Sequence, residues 1–356
     1  MLTLDRHLIR QVSIPMVGGL GVLLLLFTAY NAANLLRDAV SGQVASEHVL
    51  LILTIRDLIA LEVLLPTAFY LSAVLAVATL HRDREAFAAY AAGISPNRCV
   101  RGLWVLSAII AILVAGLSNY ARPWAYETRY ELAKQASELL VENMQPGRYY
   151  TWQDDLVITA ARVRAEDGEL QEVFAQNRAA GTINVVRAKR GRIQPERTAS
   201  GHWFLFEDGT SYQIDLAGRQ DRTSRFGRFY YRAPPAAQTS PAEKRRARST
   251  RLLSKSEKVK EIAEFQWRMT VPLVAFLIGL VGIQLGRTQP GRTPYTRLTI
   301  AVVVYAVVFN AAQVVRIAIE NQQIPIYPGM YSVPAAVAIG LVLMSRIPRL
   351  SLSRPA

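Results

Sequence analysis

Six apolar runs, near 12–36, 49–80, 100–121, 269–286, 297–319 and 330–345, are each long enough to cross the roughly 30 Å of hydrocarbon in a bilayer. They fall into two groups of three, separated by a long polar insert. The first run is too long for the apolar part of a signal peptide and is followed by no small-residue cleavage site, so it reads as a retained helix. The insert opens with a polar, helix-prone stretch over 127–143 and then changes period. Short alternating segments follow at 156–163, 172–176, 182–187, 203–206, 212–216 and 228–231, the pattern of half-buried strands. Asp167-Gly168 and Asp208-Gly209 lie between such segments and can take the positive φ angles of tight hairpin turns. The pattern therefore predicts a membrane α-helical protein of six transmembrane helices with an inserted all-β, jelly-roll-like domain. Helices 1–3 occupy 1–122, the β-domain with its flanking linkers 123–266, and helices 4–6 with a tail 267–356. Residues 234–241 and the basic run 244–260 read as a linker and a polar helix leading back to the membrane.

Charge orients the chain. Arg6, Arg10, Arg82, Arg84, Arg98, Arg101, Arg287, Arg292, Arg297, Arg346, Arg349 and Arg354 all fall on one side of the predicted spans, which the positive-inside rule places in the cytoplasm. Both termini are then inside and the insert outside, that is, periplasmic in an inner-membrane protein. Tyr120, Trp124, Tyr126, Trp267, Tyr327 and Tyr331 sit where an outer aromatic belt belongs. A composition of 51% hydrophobic residues agrees with an integral membrane protein. The formal net charge of +14 fits anionic lipid headgroups better than nucleic acid, because many of the basic residues flank apolar segments. The single cysteine, Cys99, can form no internal disulfide.

No GxxxxGK[ST] loop, HExxH or paired CxxC is present. His7, His48, His81 and His202 are scattered along the chain, so neither a metal site, a bound cofactor nor a catalytic group is expected. The loop HRDREAFAAYAAGISP, from His81 to Pro96, predicts a short helix near 82–93. Its alanines favour helix, Asp83 and Glu85 suit a helix N-terminus, and Gly93 with Pro96 is a stop signal. Phe87 and Tyr90, three apart, share a face. Such a helix either docks into a groove of a soluble partner or rests on the inner leaflet. Arg37 and Arg316 close the first and fifth spans, where each can pair with a lipid phosphate or simply snorkel to the interface. Arg56, Asp57 and Glu62 lie inside the second span and must face protein or water. In the insert, Ile183, Val185, Phe204 and Phe206 belong to a packed core or, in a sandwich open at one end, to a path for acyl chains.

Three features resemble the LptF/LptG permease family of the lipopolysaccharide exporter across essentially the whole chain. They are the arrangement of three spans, strand-rich insert and three spans; the opening LDRHLIRQ; and REAFAAYAAGIS, which is similar to the family's cytoplasmic coupling motif. The GIS ending and EFQWRM look more like LptF than LptG. The resemblance implies a non-catalytic permease subunit of an ABC transporter. Its implied partners are an LptG-like permease, an LptB-like ATPase dimer that binds the ATP and Mg, an LptC-like single-span protein, and lipopolysaccharide drawn from the outer leaflet of the inner membrane. By the same resemblance Glu85 contacts the ATPase, Phe87, Tyr90 and Gly93 shape the coupling helix, and Arg316 lies near the lipid headgroup. The first span departs from the family pattern, with Asn31 and Asn34 before Arg37. The alternative expectation is a membrane-anchored assembly or sensor protein whose β-domain binds an envelope partner.

Overall fold

The structure is a computed structural model that describes residues 3–40, 49–142, 146–147, 149–152, 156–164, 169–179, 181–195, 202–216, 218, 221–233, 241–287 and 294–346. The Asp167-Gly168 turn and most of the 234–241 linker lie outside the described residues. In chain order the elements are α1 (Thr3–Val40), α2 (Val49–Arg82), α3 (Glu85–Ala91), α4 (Pro96–Cys99) and α5 (Arg101–Gly116), then a π-helical turn at Leu117–Ala121 and α6 (Arg122–Glu142). The strands follow as β1 (Tyr149–Trp152), β2 (Leu156–Arg164), β3 (Glu169–Ala179), β4 (Thr182–Pro195), β5 (His202–Asp215) and β6 (Arg222–Ala233). The chain closes with α7 (Pro241–Ala247), α8 (Thr250–Leu253), α9 (Val259–Gly286), α10 (Pro294–Glu320) and α11 (Ser332–Arg346). Residues Met1–Ala29, Ile55–Ala125 and Arg245–Ala356 form one compact unit, and Tyr30–Thr54 with Tyr126–Lys244 a second.

Among the described residues, five helices are long and apolar enough to cross a membrane: Asp5–Arg37, Arg101–Leu132, Val259–Gly286, Tyr295–Glu320 and Gly329–Arg346. Helix α2, expected as the second span, is not among the five. Its N-terminal part carries Arg56, Asp57 and Glu62, and from Pro66 to His81 most of its residues are buried in the helical unit. Phe69, Ala73, Val77 and Leu80 join one core cluster with α1, α5 and α9. Tyr70 and Val74 join a second with α9, α10 and α11. Close approach of α2 and α9 depends on glycine: a Cβ at Gly282 would lie 2.8 Å from the Tyr70 ring, and one at Gly286 2.8 Å from the Val74 carbonyl oxygen. Substitution Gly282→Val is expected to push the two helices apart and to cost about 3 kcal/mol, read as a lower melting temperature of the detergent-purified protein. An unchanged melt would show that the contact yields freely. Cys99, fully buried in the first cluster, is a free thiol whose ionisation burial pushes up, which leaves it inert at neutral pH.

In the second unit the six strands make one antiparallel sheet in the order β1-β2-β3-β4-β5-β6. This is a sequential meander rather than two sheets facing each other. Closure comes from a bend. In β2 the core-facing positions are 156, 158 and 160 but then the half-buried 163; in β4 they are 186 and 188 but then 191. In β5, Phe204 and Phe206 face inward and, past Asp208, it is Gly209 whose Cβ would strike the Phe226 ring. The inward parity thus slips by one residue along a line crossing β2 to β6, marked by the left-handed backbones of Glu172 (φ 51°) and Asp208 (φ 52°). The hairpin expected at Asp208-Gly209 is therefore corrected. Asp208 does take a positive φ, but it bends one long strand, because both neighbours β4 and β6 stay paired through it. On the core side the Asn177 Nδ2 group of β3 donates to the Tyr231 hydroxyl of β6 at 2.6 Å, linking strands three apart in the sheet order. The core is Leu156, Ile158, Leu170, Val173, Phe204 and Phe206 with smaller neighbours.

Candidate functional site

The loop between α2 and α5 folds as its sequence predicts. Arg84 (φ 63°) turns the chain out of α2, and α3 starts at Glu85. The helix stops by a Schellman pattern. The Ile94 amide donates to the Ala89 carbonyl and the Gly93 amide to the Tyr90 carbonyl, both at 3.0 Å, while Gly93 takes the left-handed φ of 83° that glycine permits. Ala86 is buried and Ala89, Tyr90 and Ile94 pack on the first core cluster. His81, held by a 2.8 Å hydrogen bond to the Val77 carbonyl, makes edge contacts with Phe87 and Tyr90 at 5.8 and 6.4 Å between ring centroids. One side of α3 is thereby fixed to the bundle. The other side presents Phe87, still 39% exposed, and the Glu85 carboxylate, whose side chain is 49% exposed. Glu85 lies 3.6 Å from His7 Nε2 of α1, within ion-pair range when that ring is protonated. The Arg82 guanidinium bonds Asp83 at 2.8 Å and holds its exposed carboxyl below the usual carboxylate range. The result is a short rigid knob with an aromatic ring and an acid at its surface.

A second constellation occupies the helical unit near the junction with the return segment, and sequence reasoning missed most of it. Glu264 of α9, fully buried, lies 2.6 Å from Arg316 Nη2, 3.3 Å from Arg268 Nε and 3.4 Å from Arg122 Nη2. Arg122 also meets Glu62 at 3.1 Å, and the Ser118 hydroxyl donates to the same carboxylate at 2.7 Å. The π-helical turn brings Ser118 and Arg122 to that one acid. Arg268 donates to the carbonyl oxygens of Arg246 and Arg248 and to the Thr250 hydroxyl, at 2.9, 2.9 and 3.0 Å. Arg248 clamps Glu261 with two 2.8 Å bonds, and Arg245 reaches Glu320 at 3.3 Å. Trp267 carries the Arg316 and Arg122 guanidinium groups 5.0 and 6.0 Å from its ring centroid. Charges this deeply buried are stable only when each is paired and hydrogen-bonded. The network fastens α2, α6, α9, α10 and residues 245–250 into one joint. Glu264 and Arg268, four apart in VKEIAEFQWRM, were its legible signal.

Arg316, expected at a lipid headgroup, is 6% exposed, and its guanidinium is occupied by Glu264 and, at 3.1 Å, by Glu320. Arg37 is exposed on α1. Glu62 pairs with Arg122, and Asp57 accepts a 2.7 Å bond from Thr28, so both acids of α2 face protein. In the sheet, Phe204 and Phe206 stack 6.1 Å apart on the core side. Ile183 and Val185 are not with them. Val186 and Ala188 take the inward positions of β4, so Ile183 and Val185 point to the opposite face, opposite the exposed Ile214 and Tyr212 of β5. A fixed period of two could not show this, because the parity slips at the bend. Among the described residues, no group of His, Cys, Asp and Glu is arranged to hold a metal ion.

Several apolar helices carrying an inserted antiparallel sheet define a multi-pass membrane protein. Residues 6–346 match the model of the lipopolysaccharide export system permease LptF/LptG. The chain is 22% identical over 309 residues to the lipopolysaccharide export system permease protein LptF of Escherichia coli K12, covering 85% of this chain and 84% of that protein. The LptF protein of Shigella flexneri matches to the same extent. The chain belongs to the LptF/LptG family of lipopolysaccharide export permeases and is LptF-like.

Proposed function

We propose that this chain is the LptF-like half of an ABC exporter that extracts lipopolysaccharide from the outer leaflet of the inner membrane and passes it to a periplasmic bridge. The observation that carries this reading is the α3 knob, on which Glu85 and Phe87 stay exposed while Ala86 and Tyr90 anchor the helix to the bundle. A subunit without its own nucleotide site needs such a point to receive force from an ATPase, so ATP and Mg belong to an LptB-like dimer and this chain performs no catalysis. In this reading α2 crosses the membrane as a sixth span, shielded from lipid by its neighbours. Both termini are cytoplasmic, and the bent sheet is a periplasmic jelly-roll-like domain. Long apolar faces on α1 (Ile14, Val17, Leu25) and on α10 (Val303, Val307, Val314) remain exposed and are available to an LptG-like permease, an LptC-like single-span protein and lipid. Phe204 and Phe206, with Val186, line the acyl-chain path. Arg37 serves as headgroup contact, whereas Arg316 reaches a phosphate only by leaving Glu264.

Native mass spectrometry of the tagged protein, gently extracted from its own membranes, tests the assignment. The expected result is a stoichiometric complex with a related permease, two ATPase copies and bound glycolipid. Recovery alone, or with only a periplasmic protein under conditions that preserve a control ABC complex, would replace it with the anchored assembly or sensor reading.

A further inference from the structure

The face of the sheet opposite its core carries six exposed arginines beside the apolar Ile183, Val185, Tyr212 and Ile214. Register places Arg162 of β2, Gln171 of β3, Arg190 of β4, Glu207 of β5 and Arg228 of β6 directly opposite one another in a single row across five strands. A second row pairs Arg187 with Thr210 and Thr210 with Arg225. Arg192 stands two residues beyond Arg190 on β4. All six arginines are exposed, and each is next in sequence to a position on the core side, Val163, Gly191, Phe229, Val186 or Phe226, so they point outward together. Strand spacing sets arginines on alternate strands about 10 Å apart, and those two residues apart on one strand about 6.6 Å apart. The acids nearby are already engaged: Glu207 pairs with Arg228 at 3.4 Å, Asp208 with Arg190 at 3.7 Å and Glu169 with Arg164 at 3.4 Å. Glu172 lies at the bend, between the two rows. Among the described residues, Arg162, Arg187, Arg192 and Arg225 have no carboxylate within ion-pair distance.

Like charges directly opposite or diagonal on a sheet repel, so an excess of this kind weakens the domain unless an anion neutralises it. The choice of arginine narrows the anion. Its planar fork binds phosphate oxygens bidentately, and Lys189 is the only lysine on these strands. We propose that this outer face of the bent sheet is a binding surface for the phosphate esters of the exported glycolipid, separate from the core side with its phenylalanines. The preference for phosphate over acidic protein rests on the export reading, in which the cargo is a phosphorylated glycolipid. The same chemistry is offered by the headgroups of an anionic bilayer.

The test uses the full chain in phosphatidylcholine nanodiscs and the exposed quadruple variant R187Q/R190Q/R225Q/R228Q. The probes are lipopolysaccharide, the same lipopolysaccharide after phosphatase treatment, and vesicles with or without phosphatidylglycerol. A cooperative melt at or above the wild-type temperature shows that the variant folds. The wild type is expected to bind phosphorylated lipopolysaccharide at least about tenfold more tightly than the dephosphorylated form, and the variant to lose that margin. Binding of phosphatidylglycerol vesicles, also lost in the variant, would assign the surface to bilayer headgroups as well; its absence would assign it to the glycolipid. Equal binding by wild type and variant, or equal binding of both lipopolysaccharide forms, would overturn the proposal. So would a variant that loses only an acidic protein partner. Phosphatidylglycerol binding without any lipopolysaccharide binding would overturn the proposal and the export reading together, whereas equal binding of both lipopolysaccharide forms overturns the proposal alone.

Discussion

Replacing Glu264 by alanine is expected to cost about 3–5 kcal/mol, the penalty of stranding buried cations. Arg122, Arg268 and Arg316 all converge on this carboxylate, at 3.4, 3.3 and 2.6 Å, with no solvent to replace it. Loss of Glu264 also frees Arg268 from the geometry that lets it hold the carbonyl oxygens of Arg246 and Arg248, so the return segment should loosen together with the helices. Cys99 supplies the readout, since a fluorogenic thiol dye reacts with it only when the core cluster opens. The melting temperature should fall sharply in Glu264→Ala and partly recover in E264Q/R316Q, which removes a positive charge along with the negative one. By contrast, Glu207→Ala on the exposed sheet face should change stability by no more than about 0.5 kcal/mol. A Glu264→Ala protein that melts like the wild type would mean that the joint is held by packing alone.

Charge reversal at Glu85 should have the opposite profile. The carboxylate is half-exposed and, among the described residues, its one ion-pair contact is with the half-exposed His7 ring, so Glu85→Lys should leave folding and membrane insertion intact. At a desolvated contact, however, replacing an acid by a base sets like charges against a basic partner surface, a loss of at least about tenfold in binding. Lipopolysaccharide transport, followed by surface lipopolysaccharide in a depletion strain, should fall accordingly, and less ATPase should co-purify. Phe87→Ala should act in the same direction through lost apolar contact. Normal growth and transport in Glu85→Lys would remove the main support for α3 as the point where the ATPase drives this subunit.

The parts of this protein governed by local chemistry were legible in its sequence. Glycine at 93, a hydroxyl at 95 and proline at 96 specify the end of one helix and the start of another without reference to anything distant, and the structure adopts that stop and restart. Apolar length located the helices for the same reason. What escaped was governed by distance in space. Glu62, Arg122, Glu264 and Arg316 lie on four different helices, and no period in the chain says that they converge. Arg316 therefore looked like a terminal arginine free to reach a headgroup. Asp208-Gly209 looked like a reversal because turn propensity specifies a positive φ but not whether the flanking residues go on pairing with the same two neighbours.

The line along which the sheet bends also restricts how its sequence can change length. Elsewhere a strand that gains or loses a residue at its end merely lengthens or shortens the adjoining connection. At the bend, the half-strands on either side are locked in opposite phase, and every neighbour repeats the slip at the same level. Deleting one residue beside Asp208 would turn Phe204 and Phe206 out of the core while leaving the far half of β5 in place. Relatives of this domain should accordingly tolerate insertions at the hairpin tips and hold a constant residue count across the crease.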